Sequence, residues 1–129
     1  MRVAELMQTK VRTAGLDSTL AEVVQSLADG HVTALPVVDR EGRLLGVISN
    51  ADVLQAQAEG TETDNWREVL VEDVMSRPAL TVAPDVEVHA AARQMLYGDV
   101  HRLFVEHDGK LAGVLSQTDL IRALALESS

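Results

Sequence analysis

Leu44-Leu45-Gly46-Val47-Ile48-Ser49-Asn50-Ala51-Asp52 returns 67 residues later as Leu111-Ala112-Gly113-Val114-Leu115-Ser116-Gln117-Thr118-Asp119. Leu, Gly, Val, Ser and Asp recur in place, and the changed positions mostly keep their polarity. Each copy reads as a short apolar strand running straight into a helix, with Ser-x-x-Asp at the junction. A repeat of this length outranks every local signal, because it fixes the architecture before any single element is assigned.

Working outward, the repeat extends to nearly the whole chain. Val3 to Met7 reads as a short helical lead-in, and Val71 to Met75 is its second copy, with Met7 and Met75 68 residues apart. Thr13 and Thr81 keep that offset inside two brief extended segments, 11–14 and 79–83. A helix follows each. Leu20, Val23, Val24 and Leu27 stand at i, i+3, i+4 and i+7 and make one apolar face, which Val88, Ala91, Ala92 and Met95 repeat. Asp17 and Asp85 suit the N-cap regions, and Gly30 and Gly98 suit helix stops. Leu35-Pro36-Val37-Val38 then turns through Asp39-Arg40-Glu41-Gly42 into the first quoted strand. Leu103-Phe104-Val105 turns through His107-Asp108-Gly109 into the second. Asp-Gly between apolar runs marks a hairpin, since Gly tolerates the positive φ of such turns. The offset falls from 68 to 67 at this turn, where the first copy is one residue longer.

Composition sets the outer limits. With 129 residues, 47% of them apolar and only 2% aromatic, the chain can build a compact aliphatic core. No run approaches the roughly 18 apolar residues of a membrane span, and the acidic start Met1-Arg2-Val3-Ala4-Glu5 is unlike a signal peptide. A soluble, cytoplasmic protein with no membrane partner is expected. The chain has no Cys, which removes disulfides, thiolate catalysis and Cys-ligated zinc. A net charge of −9 argues against nucleic acid as a partner, because phosphate contacts need clustered Lys and Arg. The four His residues, 31, 89, 101 and 107, match no metal-ligand spacing, so no metal site is expected. No Ser–His–acid or paired-carboxylate arrangement is legible either. No catalytic residue is assigned, and the chain is not expected to be an enzyme.

Each half thus reads helix, strand, helix, strand, strand, helix. With Leu-Pro-Val-Val-Asp, Gly-x-Leu-x-Gly-Val and Ser-x-x-Asp in that order, it resembles the cystathionine-β-synthase-type (CBS) domain, and the whole resembles a tandem CBS pair in its stand-alone form. The resemblance implies an α/β (α+β) fold in which the two repeats pack sheet to sheet with pseudo-twofold symmetry. It implies a first repeat at 1–57, a linker at 58–67 and a second repeat at 68–129. It also implies a regulatory module that senses AMP, ADP, ATP or S-adenosylmethionine in clefts between the repeats and signals to an effector protein, with no cofactor held tightly. The alternative is a dimerisation or protein-interaction module with no physiological nucleotide.

Carried over by position, Asp52 and Asp119 would bond ribose hydroxyls and Ser49 and Ser116 would face phosphates. Thr13, His31 and Pro36 would wall one site, and Thr81, His101 and Arg102 the other. An ionised Asp only accepts, so neighbouring hydroxyls can both donate to it. A phosphate at a helix start meets free N–H groups and the positive end of the dipole. The same Ser-x-x-Asp also approximates a capping box with no ligand involved, and the two roles can coexist. The neutral pairs Asn50-Ala51 and Gln117-Thr118 stand where the family often carries basic residues. Thr33-Ala34 in the first copy becomes His101-Arg102 in the second, so the second site is expected to favour a phosphorylated ligand.

Lone CBS pairs usually dimerise through their helices, and the Ala-rich stretches 90–92 and 123–125 allow close approach. Light scattering at micromolar concentration should therefore return twice the 13.9 kDa chain mass. A monomer mass would count against the homodimer.

Overall fold

The computed structural model describes residues 1–60 and 65–128. The elements are α1 (Val3–Leu6), α2 (Leu20–Gly30), β1 (Ala34–Val38), β2 (Leu44–Ser49), α3 (Asn50–Glu59), β3 (Thr81–Val82), α4 (Val88–Gly98), β4 (Arg102–His107), β5 (Lys110–Ser116) and α5 (Gln117–Ser128), with two single 3-10 turns at Trp66–Glu68 and Val71–Asp73. The fold is α/β and follows the expected helix–strand–helix–strand–strand–helix order with two reductions: the extended segment around Thr13 is only a bridge at Ala14, and the second lead-in is a 3-10 turn. Part of the expected linker is structured: α3 reaches Glu59, a 3-10 turn begins at Trp66, and residues 61–64 lie outside the described residues.

The compact units do not coincide with the sequence repeats. One unit is Arg12–Ala79. The other joins Met1–Val11 to the chain from Leu80 onward. Each lead-in therefore serves the half of the chain it does not belong to in sequence. Within the first unit, β1 and β2 pair antiparallel from Ala34↔Ser49 to Val38↔Leu44. Ala14 bridges Val37 in parallel on the other edge of β1, its N–H on Pro36 O and its carbonyl taken by Val38 N–H. Within the second unit the same ladder is a full strand: β3 pairs β4 in parallel through Thr81↔Phe104 and Val82↔Val105, and β4 pairs β5 antiparallel.

Each unit has its own core, and the two correspond position by position. Ala14, Leu20, Val23, Leu27, Leu35, Val37, Ile48, Val53 and Val71 form one; Val82, Val88, Ala91, Met95, Leu103, Val105, Leu115, Leu120 and Val3 form the other. Val71 and Val3 are the exchanged lead-in residues, both fully buried. The substitutions between the two sets compensate. Leu20/Val88 and Val23/Ala91 remove three carbons, while Ala14/Val82 and Val53/Leu120 restore three. Volume-conserving exchange of this kind is what a close-packed core tolerates best.

Helix ends depart from the sequence expectation. Thr19, not Asp17, caps α2 by accepting from Glu22 N–H, and the N-cap of α4 is Glu87, not Asp85, with no side-chain capping bond. Gly30 and Gly98 are the last helical residues. The left-handed capping positions after them are His31 (φ 51°) and Asp99 (φ 50°). Val24 is not buried with its neighbours but 37% exposed. The hairpins match their lengths. Asp108 (φ 53°) and Gly109 (φ 79°) make a two-residue turn with both residues at positive φ, while the longer first turn closes on Gly42 (φ 83°). There the Asp39 carboxylate accepts from the N–H groups of Glu41 and Arg43 and from Arg43 Nε. The Arg43 N–H above all holds the Asp39 carboxyl below the usual range.

The exchange is anchored on two glycines. Gln8 forms a reciprocal antiparallel bridge to Val114, both N–H···O distances being 2.9 Å. Ser76 does the same to Val47, at 2.8 and 3.0 Å. Gly113 and Gly46 lie one residue before those bridge partners. A Cβ on Gly113 would stand 2.7 Å from Gln8 O and 2.9 Å from Met7 Sδ, and one on Gly46 would run into Ser76 O and Met75 Cε. A carbonyl fixed by a bridge cannot swing away as a side-chain tip can. Gly46→Ala and Gly113→Ala should each cost about 1–3 kcal/mol, the range for overpacking a well-filled site. Urea unfolding of each variant checks this, and a loss under about 0.5 kcal/mol, the spread of an ordinary surface change, would refute it.

Candidate functional site

The Ser-x-x-Asp junctions sit where β2 enters α3 and β5 enters α5. In the first, Ser49 has extended backbone (φ −114°, ψ 169°) and its hydroxyl accepts from Asp52 N–H at 3.2 Å. Asp52 Oδ2 reaches back to accept from Ser49 N–H at 2.8 Å and from the Ser49 hydroxyl at 3.0 Å. This is a capping box with Asp in place of the usual Glu. The second junction repeats it: Ser116 Oγ accepts from Asp119 N–H at 3.2 Å and Asp119 Oδ2 from Ser116 N–H at 2.9 Å. The capping role is therefore real at both junctions, and it employs only the inner carboxylate oxygen of each Asp.

The outer oxygens meet the exchanged lead-ins. Asp52 Oδ1 accepts from the Ser76 hydroxyl at 3.1 Å. Asp119 Oδ1 accepts from Gln8 Nε2 at 3.2 Å and lies 3.7 Å from Arg122 Nη1. Gln8 and Ser76 occupy equivalent places after Met7 and Met75, so the backbone bridges to β5 and β2 carry these two side chains onto the two carboxylates. Sequence reasoning missed both. Their 68-residue offset was visible, but nothing in it says that a lead-in lands on the other half.

The remaining expected residues divide clearly. Arg102 pairs across the ladder with Ser116, as Ala34 does with Ser49, so Arg102 shares a sheet face with the second junction. His101 O accepts from Gln117 N–H at 3.0 Å, and Thr33 O from Asn50 N–H at 2.9 Å, which ties the segment before each strand to the start of the following helix. Thr13 and Thr81 stand elsewhere. Each lies beside the edge of β1 or β4 opposite to the one that carries the Ser. Thr13 lines a hollow of about 410 Å3 with Ala14, Gly15, Asp17 and Val38, and Thr81 lines one of about 450 Å3 with Val82, Ala83, Gln94 and Glu106. His31 is an exposed left-handed helix cap. Pro36 is fully buried, with its carbonyl taken by Ala14. Among the basic residues near the first junction, Arg77 follows Ser76, and its Cγ would lie 3.2 Å from a Cβ on Gly46. Among the described residues no group of three or more His, Asp or Glu could hold a metal, and no helix is long and apolar enough to cross a membrane.

Comparison with known proteins decides the family. The CBS domain model matches residues 3–59 and again 71–126. The chain belongs to the CBS domain family. It carries the domain twice, as a CBS pair. An uncharacterised protein of Methanopyrus kandleri is 28% identical over 122 residues, which cover 93% of this chain and 61% of that protein, so the chain spans about three fifths of that relative's length. Among solved structures, CBSX2 in complex with AMP superposes with a TM-score of 0.86 at 27% identity, covering 99% of this chain and 98% of its own. A CBS domain pair solved with 5′-methylthioadenosine and S-adenosyl-L-methionine has a TM-score of 0.82 at 23% identity, covers 98% of each chain, and shares the fold.

The capping geometry has a measurable consequence. Ser49→Ala removes the acceptor for Asp52 N–H and should cost the ligand-free protein about 1 kcal/mol. Chemical denaturation of the variant checks it. No loss of stability would mean that Ser49 does not serve the helix.

Proposed function

We propose that this CBS pair is a regulatory, non-catalytic module that binds an adenosine-containing ligand of the AMP, ADP, ATP or S-adenosylmethionine type and passes its bound state to a partner protein. The observation that carries the reading is the repeated junction itself. Twice, a carboxylate at a helix start turns one oxygen inward to cap the helix and leaves the other facing only side-chain donors. The AMP complex of CBSX2, similar along essentially the whole chain, supports the same ligand class.

The chemistry follows from the parts. Vicinal ribose hydroxyls can donate to Asp52 Oδ1 beside the Ser76 hydroxyl. Hydrogen bonds to a charged acceptor are worth about 1.5–3 kcal/mol each. The backbone N–H groups at the start of α3 or α5 favour an anion, and Ser49 or Ser116 adds a hydroxyl. Arg77, which follows Ser76 near the first junction, and Arg102 and Arg122 at the second are the candidate cations for a phosphate. Arg is permanently charged and forks onto two phosphate oxygens, which a neutral Ala34 cannot imitate. For such binding to regulate anything, the ligand must prefer one conformation of the module over another.

One observation favours a second reading, an interaction module without a nucleotide. Both carboxylates have hydrogen-bond partners within the chain, and apolar side chains such as Leu54 (64% exposed), Leu96 (74%) and Ile121 (64%) stand on the helices. Calorimetry with adenosine and AMP separates the two. In the ligand-sensing reading, Asp52→Ala weakens adenosine at the first junction by about 1.5–3 kcal/mol, the loss expected for a charged hydrogen bond, whereas Arg102→Ala weakens AMP at the second junction and spares adenosine there. The absence of heat with either ligand at millimolar concentration would leave only the interaction module.

A further inference from the structure

The two junctions are not equally open, and the inequality lies in the side chains that the lead-ins deliver. Over Asp52 the lead-in places a serine. Its hydroxyl donates to Oδ1 and keeps lone pairs to accept with, so it can remain beside a ribose and bond to it. Over Asp119 the lead-in places Gln8, whose terminal amide is the donor, 3.2 Å from Oδ1. Arg122 stands on the same oxygen at 3.7 Å. The residue equivalent to Arg122 in the first repeat is Gln55, and it turns away to Glu59 Oε1 at 3.0 Å. The burial agrees with the contacts: Asp119 is 3% exposed, whereas Asp52 is half-buried. Gln8 itself is exposed, so it covers Asp119 without being part of the core.

We propose that Gln8 is a latch on Asp119, and that it makes the second junction the weaker site for the nucleoside part of the ligand. The proposal rests on the adenosine-ligand reading above and deepens it. A ribose can reach Asp119 Oδ1 only after the Gln8 amide swings out, and that displacement removes the side-chain tie between the lead-in and α5. Occupation of the second junction is thereby coupled to the hold on residues 1–11, while the first junction accepts its ligand with Ser76 in place. The latch acts where ribose binds, so it should penalise adenosine and AMP alike. That separates it from Arg102, whose contribution requires the phosphate.

The test is calorimetry of the full chain with adenosine and with AMP, with Asp52→Ala and Asp119→Ala used to assign each site. The parent should show one site per chain, assigned by Asp52→Ala, with the second at least about tenfold weaker. Gln8→Ser, which copies the lead-in residue of the first junction and leaves Arg122 in place, should strengthen the second site by about tenfold for both ligands. The reciprocal Ser76→Gln should weaken the first site by a similar factor. Both positions are exposed, and thermal melting of the ligand-free variants verifies that they fold. Two equal sites in the parent, or a second site unmoved by Gln8→Ser, overturn the latch while leaving adenosine binding intact. An improvement confined to AMP also overturns it, because the effect would then lie at the phosphate. The absence of binding in parent and variants alike overturns the adenosine reading, and the latch with it.

Discussion

A backbone bridge that only glycine permits sets the rest of this structure. At Gly113 and Gly46 the strand comes so close to the lead-in that the facing carbonyl oxygen would stand within 3.0 Å of a Cβ. The bridges Gln8↔Val114 and Ser76↔Val47 follow from that approach. They bring Val3 and Val71 into the cores, and they hold Gln8 and Ser76 over the two carboxylates. Remove the close approach and each unit loses at once a fully buried core residue and the side chain that faces its Asp. Packing and chemistry here depend on the same few contacts.

That dependence leaves the junction residues available for the ligand contact proposed above as well as for the helix cap. A helix start needs its free N–H groups satisfied, and the Ser-x-x-Asp box does this with one carboxylate oxygen. The second oxygen is surplus to the helix. Its environment is set by the lead-in, which the helix sequence does not specify, so the two junctions can share the cap and differ in what covers it. Ser76 and Gln8 are such a difference, and so are Gln55 and Arg122. The cores change in the opposite spirit: carbon lost at Leu20/Val88 and Val23/Ala91 is regained at Ala14/Val82 and Val53/Leu120. The repeats keep volume constant and vary the polar groups at the junctions.

What the sequence could reveal follows the range of each interaction. The hairpins, the helices and the apolar positions were legible because they rest on local spacing, 3.6 residues in the helices and Asp-Gly in the turn. The capping box was legible as one of two readings, since three residues suffice to propose it. Gly30 and Gly98 read as helix stops and are the last helical residues, while the left-handed caps, His31 and Asp99, lie one residue on. Composition favours Gly there, but the helices run one residue further and the residue in the left-handed region is the next one. The exchange of lead-ins was illegible, because offset alone cannot tell which strand a segment meets. With it went Gln8 and Ser76. Thr13 and Thr81, which the resemblance places on the walls of the sites, line hollows beside the opposite strand edge.

The contrast between Asp52 and Asp119 bears on how a duplicated module can act as a sensor. Two identical sites would fill together and report only total ligand. Sites that share a recognition element but differ in cover fill at different concentrations, and a cover carried on a structural segment links filling to the hold on that segment. The hold is small: one amide hydrogen bond to a carboxylate at 3.2 Å, beside backbone bridge bonds at 2.9 Å that remain. A charge-assisted hydrogen bond of this kind contributes of order 1.5–3 kcal/mol, against a total stability of about 5–15 kcal/mol for a domain. Its loss can therefore bias the lead-in without unfolding the unit. A latch of that size suits regulation: it is strong enough to separate two affinities by about tenfold, which needs about 1.4 kcal/mol, and weak enough for a ligand to open.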